Sequence, residues 1–262
     1  FLGASLSAYR LPAGAGAVAG VAGAAVDASE AFVQSVLRLL RRTDLFGVVG
    51  VLLSILLPEG RREKPAQTSK LPQAMTSLAL LAVRLLNHVA RLDLGTLQET
   101  LGACRQQELY HLLVCLLDYC AGRLQGVKAG QSGEDSDLLH ETIVLLGYYC
   151  LQRSENQTIM CYGEGQTLLA RITSLPLHYF MDERGKAILF PTILATCFRS
   201  PQNLECLRNE MNLSLLQKFL AAACISQKDE ALDAQDSTGR FPLSLCEEAL
   251  AFFSDEPPGA SA

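Results

Sequence analysis

Several stretches of this chain carry residue types that do chemistry elsewhere, and their spacing decides each case. His140-Glu141-Thr142-Ile143-Val144 opens as a zinc-protease helix does. Val144, however, stands where the second histidine must lie to grip a metal from one helix face. His111 and Cys115 are four apart with Cys120 beyond, but the run is leucine-rich and has no Cys-x-x-Cys partner, so it reads as core packing. Gly163-Glu164-Gly165 is a lone Gly-x-Gly that follows no strand, and reads as a turn rather than a phosphate cradle. No nucleophile elbow, kinase loop or P-loop is present. The expectation is a chain that is not an enzyme, with no metal and no cofactor. A hydrolase hidden in a helical fold is the alternative that would need two ionisable side chains converging in a cleft.

Basic residues gather twice, at Arg38, Arg41 and Arg42 and again at Arg61, Arg62 and Lys64. They fit solvated helix ends, where positive charge is favourable. They also fit a local contact with RNA or the ribosome, which a patch can make against the sign of the whole. The 262 residues carry a formal charge of −5, which argues against a protein built mainly to hold nucleic acid. With 49% hydrophobic residues the chain can offset its ordering entropy and fold. No stretch of about 18 strongly apolar residues offers a membrane span. Nine cysteines sit inside apolar runs, which reads as a reduced intracellular protein using them as small buried hydrophobes. On that reading the sequons at Asn156 and Asn212 carry no meaning, and a start at Phe1 marks a piece of something longer.

The elements that must position these residues are helices. Residues 1–28 are Ala/Gly-rich and read as an arm or linker. From Ser29, an N-cap, apolar residues recur at helical spacing, and Leu45–Leu57 forms a second apolar segment. Leu78, Leu81, Leu85, Val89 and Leu92 mark a long helix. Further helices are expected near 96–104, 106–122, 137–152, 157–161, 164–174, 184–199, 203–209, 211–226 and 243–254, with Pro191 kinking the one that holds it. Loops are expected at 58–70, 123–136 and 227–241, and a disordered tail at 255–262. Period-two alternation is absent, so the class is all-α, with one domain over 29–254.

An internal period organises these helices. Shifting the chain by 47 places Asn156 on Asn203, Ile159 on Cys206, and Leu168-Leu169 on Leu215-Leu216. A looser copy puts Leu112-Leu113 on Leu168-Leu169 at a shift of 56. That period fits armadillo and HEAT units, so the expected architecture is an armadillo/HEAT-like right-handed α-solenoid whose units share one core. Leu168, Leu169 and Ile172, with Leu215, Leu216 and Phe219, would be buried. Thr167 and Arg171, with Ser214 and Lys218, would share the opposite face and line a groove that binds a protein.

An ordered set of residues adds a resemblance. Leu138-Leu139-His140-Glu141-Thr142-Ile143-Val144, Gly147-Tyr148, Asn156-Gln157, Leu175-Pro176, Tyr179-Phe180, Phe190-Pro191, Gln202-Asn203, Glu210-Met211, Arg240-Phe241-Pro242, Glu247-Glu248-Ala249 and Phe252-Phe253 follow one another. This resembles the C-terminal region of the family of S phase cyclin A-associated proteins residing in the endoplasmic reticulum, most clearly over 137–253. The resemblance implies a cytoplasmic scaffold or adaptor, including at the cytosolic face of the endoplasmic reticulum, associated with cyclin A and its kinase. It also implies a role in tubulin autoregulation. There the family joins a tetratricopeptide-repeat protein that reads nascent tubulin on ribosomes, and recruits a deadenylase for mRNA decay. The Ala/Gly arm departs from the family, whose coiled-coil and zinc-finger parts are absent here. Cyclin and deadenylase contacts are therefore expected through regions outside this sequence.

Overall fold

The computed structural model describes residues 71–103, 105–124, 133–163, 165–229 and 240–254, with positions 31, 35, 36, 38, 47 and 50–52. The arm at 1–28, the loop at 58–70 and the tail at 255–262 lie outside the described residues. The chain divides into two compact units, Phe1–Thr43 and Asp44–Ala262. In the first, Ala31, Ser35, Val36 and Arg38 are helical, and Ser35 Oγ donates to the Ala31 carbonyl at 2.8 Å. The second holds the helices α1 (Gln73–Leu92), α2 (Leu94–Ala103), α3 (Gln106–Leu124), α4 (Glu134–Cys150), α5 (Ser154–Gln157), α6 (Leu168–Thr173), α7 (His178–Met181), α8 (Glu183–Cys197), α9 (Pro201–Glu210), α10 (Ser214–Asp229) and α11 (Cys246–Ser254). A 3-10 turn, Thr158–Cys161, continues α5. Among the described residues the structure is all-helical, with no strand.

The helices fall into three successive sets: α1–α3, α4–α6 and α8–α10. Within this unit α4 lies between α1 and α8, α2 meets α4 and α5, α3 meets α6, and the 3-10 turn meets α9. Leu112, Leu113, Leu168, Leu169, Ile172 and Leu216 are completely buried, each worth about 1.5–3 kcal/mol over exposure. Leu215 and Phe219 are half-buried.

The shift of 47 reappears in three dimensions where the long helices end. A helix leaves its last carbonyls without intrahelical partners, and burial makes that costly. After α4 the chain turns through Gln152 at φ 52°, and after α8 through Arg199 at φ 60°, 47 positions on. Asn156 Nδ2 donates back to the Tyr149 carbonyl at 2.9 Å, and Asn203 Nδ2 to the matching Thr196 carbonyl at 2.8 Å. A glutamine from the preceding set completes each end. Gln98 donates to the carbonyls of Tyr148 and Leu151 at 2.9 and 2.8 Å, and Gln157 to those of Ala195 and Phe198 at 2.9 and 3.0 Å.

Between α4 and α8 the backbones come close. A Cβ on Gly147 would stand 2.8 Å from Thr192 Oγ1 and 3.3 Å from Thr192 Cα, while Thr192 Oγ1 donates to the Ile143 carbonyl at 2.9 Å. Pro191 lies inside α8, which runs on to Cys197. Its missing N–H frees the Ala187 carbonyl, and buried Arg240 supplies the donor, Nη2 at 2.7 Å, with Nη1 on the Ile188 carbonyl.

Several boundaries differ from expectation. α3 runs to Leu124 and α4 starts at Glu134, so both enter the span expected as a loop at 123–136. Glu134, Asp135 and Asp137 in the first turn of α4 complement its dipole, which explains why this acidic stretch is helical. α10 runs to Asp229, into the loop expected at 227–241. The short helix α7 was not among the expected helices. In α1 the buried face holds Thr76, Ala79, Leu80, Val83, Leu86, Asn87 and Ala90, while Leu78, Leu81 and Leu92 are 45%, 63% and 48% exposed. Small alanines let α4 approach that face, and Asn87 is buried there because it bonds to Glu141.

Replacing Asn203 by Ala strips a donor from the Thr196 and Gln157 carbonyls. Urea unfolding should show a loss of about 2 kcal/mol. A loss below the scatter of surface substitutions would mean those carbonyls find other partners.

Candidate functional site

The parallel pair α1 and α4 builds a polar seam whose pairs repeat every seven residues. Ser77 donates to Glu134 at 3.1 Å, Arg84 Nε to Glu141 at 3.1 Å, and Arg91 Nε to the Tyr148 hydroxyl at 3.3 Å, each partner 57 positions on. Seven residues are about 10.5 Å of helix, so one register holds along three rungs. Arg84 also reaches Asp137 at 3.2 Å, and Asn87 Nδ2 gives two bonds to Glu141, to its carbonyl and its carboxylate. Arg84 and Asp137 stay about two-fifths exposed, so this ion pair adds little stability and leaves polar groups open to solvent.

Next along α4, His140 shares a 2.8 Å hydrogen bond with the Tyr179 hydroxyl of α7. Burial, then the positive charge of Arg184, lowers the affinity of His140 for a proton against the pull of Asp137 and Glu141. Burial pushes the Tyr179 hydroxyl up to about 12. His140 therefore joins two helices, and it points at a phenol rather than at a second imidazole. Among the described residues no group of three or more His, Cys, Asp and Glu side chains has a metal-holding arrangement. His111 is exposed on α3, while burial and then Asp118 push the Cys115 thiol up to about 11, and Cys120 is raised further by its own burial. Gly163 and Gly165 have φ of 98° and 106°, as a turn requires, and Gly163 also sits against the Tyr110 hydroxyl.

The expected groove residues occupy matching helices but differ in role. Thr167 is the N-cap of α6, its hydroxyl accepting from the Ala170 N–H at 3.1 Å. Arg171 turns inward to Asp118 of α3 at 2.8 Å, its side chain 16% exposed, with Nη1 buried and lacking a partner among the described residues. Ser214 is half-buried at the start of α10, its N–H taken by Asn212 Oδ1 at 2.8 Å. Lys218 alone of the four is exposed. Of the basic residues, Arg38 is exposed on a helix, and Arg41, Arg42, Arg61, Arg62 and Lys64 lie outside the described residues. The seam was missed because its signal, Ser77, Arg84 and Arg91 against Glu134, Glu141 and Tyr148, is readable only once α1 and α4 are known to run side by side.

By class, the described residues form an all-helical unit whose helices pack on one another along polar seams. No protein-family model matches the chain. It is 31% identical over 231 residues, 82% of its length, to the human S phase cyclin A-associated protein in the endoplasmic reticulum. The match falls on a C-terminal part of that protein, and the chain spans about 16% of its length. Over those residues the chain belongs to the family of that protein. No helix among the described residues is long and apolar enough to cross a membrane.

Two measurements probe the site. The folded chain binds a proton on His140 less readily than the unfolded chain, so stability present above about pH 6.5 is lost as pH falls. The stability difference between pH 7.5 and pH 5 should shrink in His140→Gln; an unchanged difference would assign the acid sensitivity to other groups. Replacing Asp118 by Ala leaves the Arg171 charge half-buried and unpaired, and should cost about 1–2 kcal/mol in thermal unfolding, discounted for the exposure of Asp118.

Proposed function

We propose that the chain is a non-catalytic scaffold module that docks protein partners, its sets of helices forming an armadillo/HEAT-like right-handed solenoid. One observation carries this reading: equivalent helix ends 47 positions apart are finished by the same amide bonds, and a glutamine of the first and of the second set reaches into the set that follows. Units joined this way form a stiff support, and a stiff support that holds two partners raises their effective concentration. The family match agrees with the scaffold reading, because the human relative carries association with cyclin A and with the endoplasmic reticulum in its name. On this reading the chain works on the cytosolic side of that membrane. Its partner is a tetratricopeptide-repeat protein that reads nascent tubulin on ribosomes, and the cyclin and the deadenylase bind other parts of the longer protein.

The exposed side of α10 at Lys218 is the docking point to test first, since Thr167 and Arg171 are engaged in caps and ion pairs. Lys218→Glu should lower capture of the tetratricopeptide partner about tenfold while leaving the unfolding midpoint unchanged. Equal capture by the variant and the parent would remove α10 from the docking surface. Capture that collapses with rising salt, and that Arg38→Glu abolishes instead, would favour an RNA or ribosome contact through the basic residues.

A further inference from the structure

The thiols of Cys161 and Cys206 come together where two sets of helices meet. Cys161 ends the 3-10 turn of the second set, and Cys206 lies on α9 of the third, the helix that packs against that turn. Their side chains lie within hydrogen-bonding range of one another, and Cys161 Sγ also donates to Asn203 Oδ1 at 3.3 Å. Asn203 and Cys206 are three apart on one helix face, so the asparagine that finishes α8 and the thiol address the same turn. Cys161 and Cys206 are both half-buried and within reach of a small oxidant. Cys150 and Cys197, the other thiols near by, are wholly buried. We propose that Cys161 and Cys206 form a reversible disulfide that ties the two sets of helices together, with a small-molecule disulfide such as oxidised glutathione as the oxidant.

The exchange balances. One protein thiolate attacks a sulfur of oxidised glutathione, forming a mixed disulfide and releasing one glutathione thiolate. The second protein thiolate then attacks the protein sulfur of that mixed disulfide and releases the other. Two S–H bonds are lost, one S–S bond forms in the protein, and two molecules of reduced glutathione carry away the two electrons and two protons. Burial, reinforced by Cys206, pushes the Cys161 thiol up to about 12, so little of it is thiolate at neutral pH. Joining residues this far apart in sequence restricts the unfolded chain, so oxidation raises the temperature of unfolding.

The test incubates the 262-residue chain with oxidised glutathione under native conditions, blocks remaining thiols with a maleimide, and maps peptides without reduction. A peptide joining Cys161 to Cys206 that disappears on reduction is the expected result. A melting temperature raised by roughly 5 °C or more should accompany it and be absent from Cys206→Ser treated alike. Glutathione adducts without that cross-link would overturn the proposal, and so would a bond from either thiol to Cys197. An oxidised protein whose melting point matches the reduced one would refute the claim that the bond ties the sets together.

Discussion

The arrangement of this chain depends on how the long helices α4 and α8 end inside the protein. Each stops where neighbouring helices exclude water, so its last carbonyls need donors from protein. Asn156 and Asn203 supply one from just beyond the turn, and Gln98 and Gln157 supply two each from the preceding set. The turns at Gln152 and Arg199 take a left-handed backbone that costs non-glycine residues about 1–2 kcal/mol. The amide bonds offset that cost and fix the angle at which the next helix leaves. Apolar burial drives the helices together, but it is non-directional; the amides choose the register.

That register is reinforced by contacts between successive sets. Close approach at Gly147 and Thr192, the Arg84 and Asn87 bonds to Glu141, and the inward ion pair of Arg171 with Asp118 all join one set to the next. Such a surface has its polar groups placed before any partner arrives, so less ordering remains to be done on binding. A module of this kind is suited to presenting surfaces, in keeping with a family whose human member is described by an association.

Much of the fold was legible in the sequence, and the reasons are specific. The period was readable because ending a buried helix drew asparagine to positions 156 and 203, while paired leucines recur at the starts of α6 and α10. Helix ends were less readable: the acidic stretch at 134–137 has the composition of a loop, yet its charges suit a helix start. The leucine spacing marked α1 as a helix, but it does not show which face is buried, because hydrophobicity ignores size. Alanines at 79, 82 and 90 admit a neighbouring helix more closely than Leu78 or Leu81 would. The groove residues divided for a related reason, since a side chain's position on a helix does not show that Arg171 has a carboxylate waiting on α3. Pairs 57 apart, as in the seam, carry no local pattern at all.

The glutamine bonds have a direction. Gln98 finishes a helix made later in the chain, and Gln157 does the same for the helix after that, so each donor already exists when its acceptors are synthesised. A chain emerging from its amino end can thus complete one layer before starting the next, growing like a wall laid in courses. In the third set Gln217 gives its amide forward in the same sense, to the Phe253 carbonyl near the end of α11 at 2.9 Å.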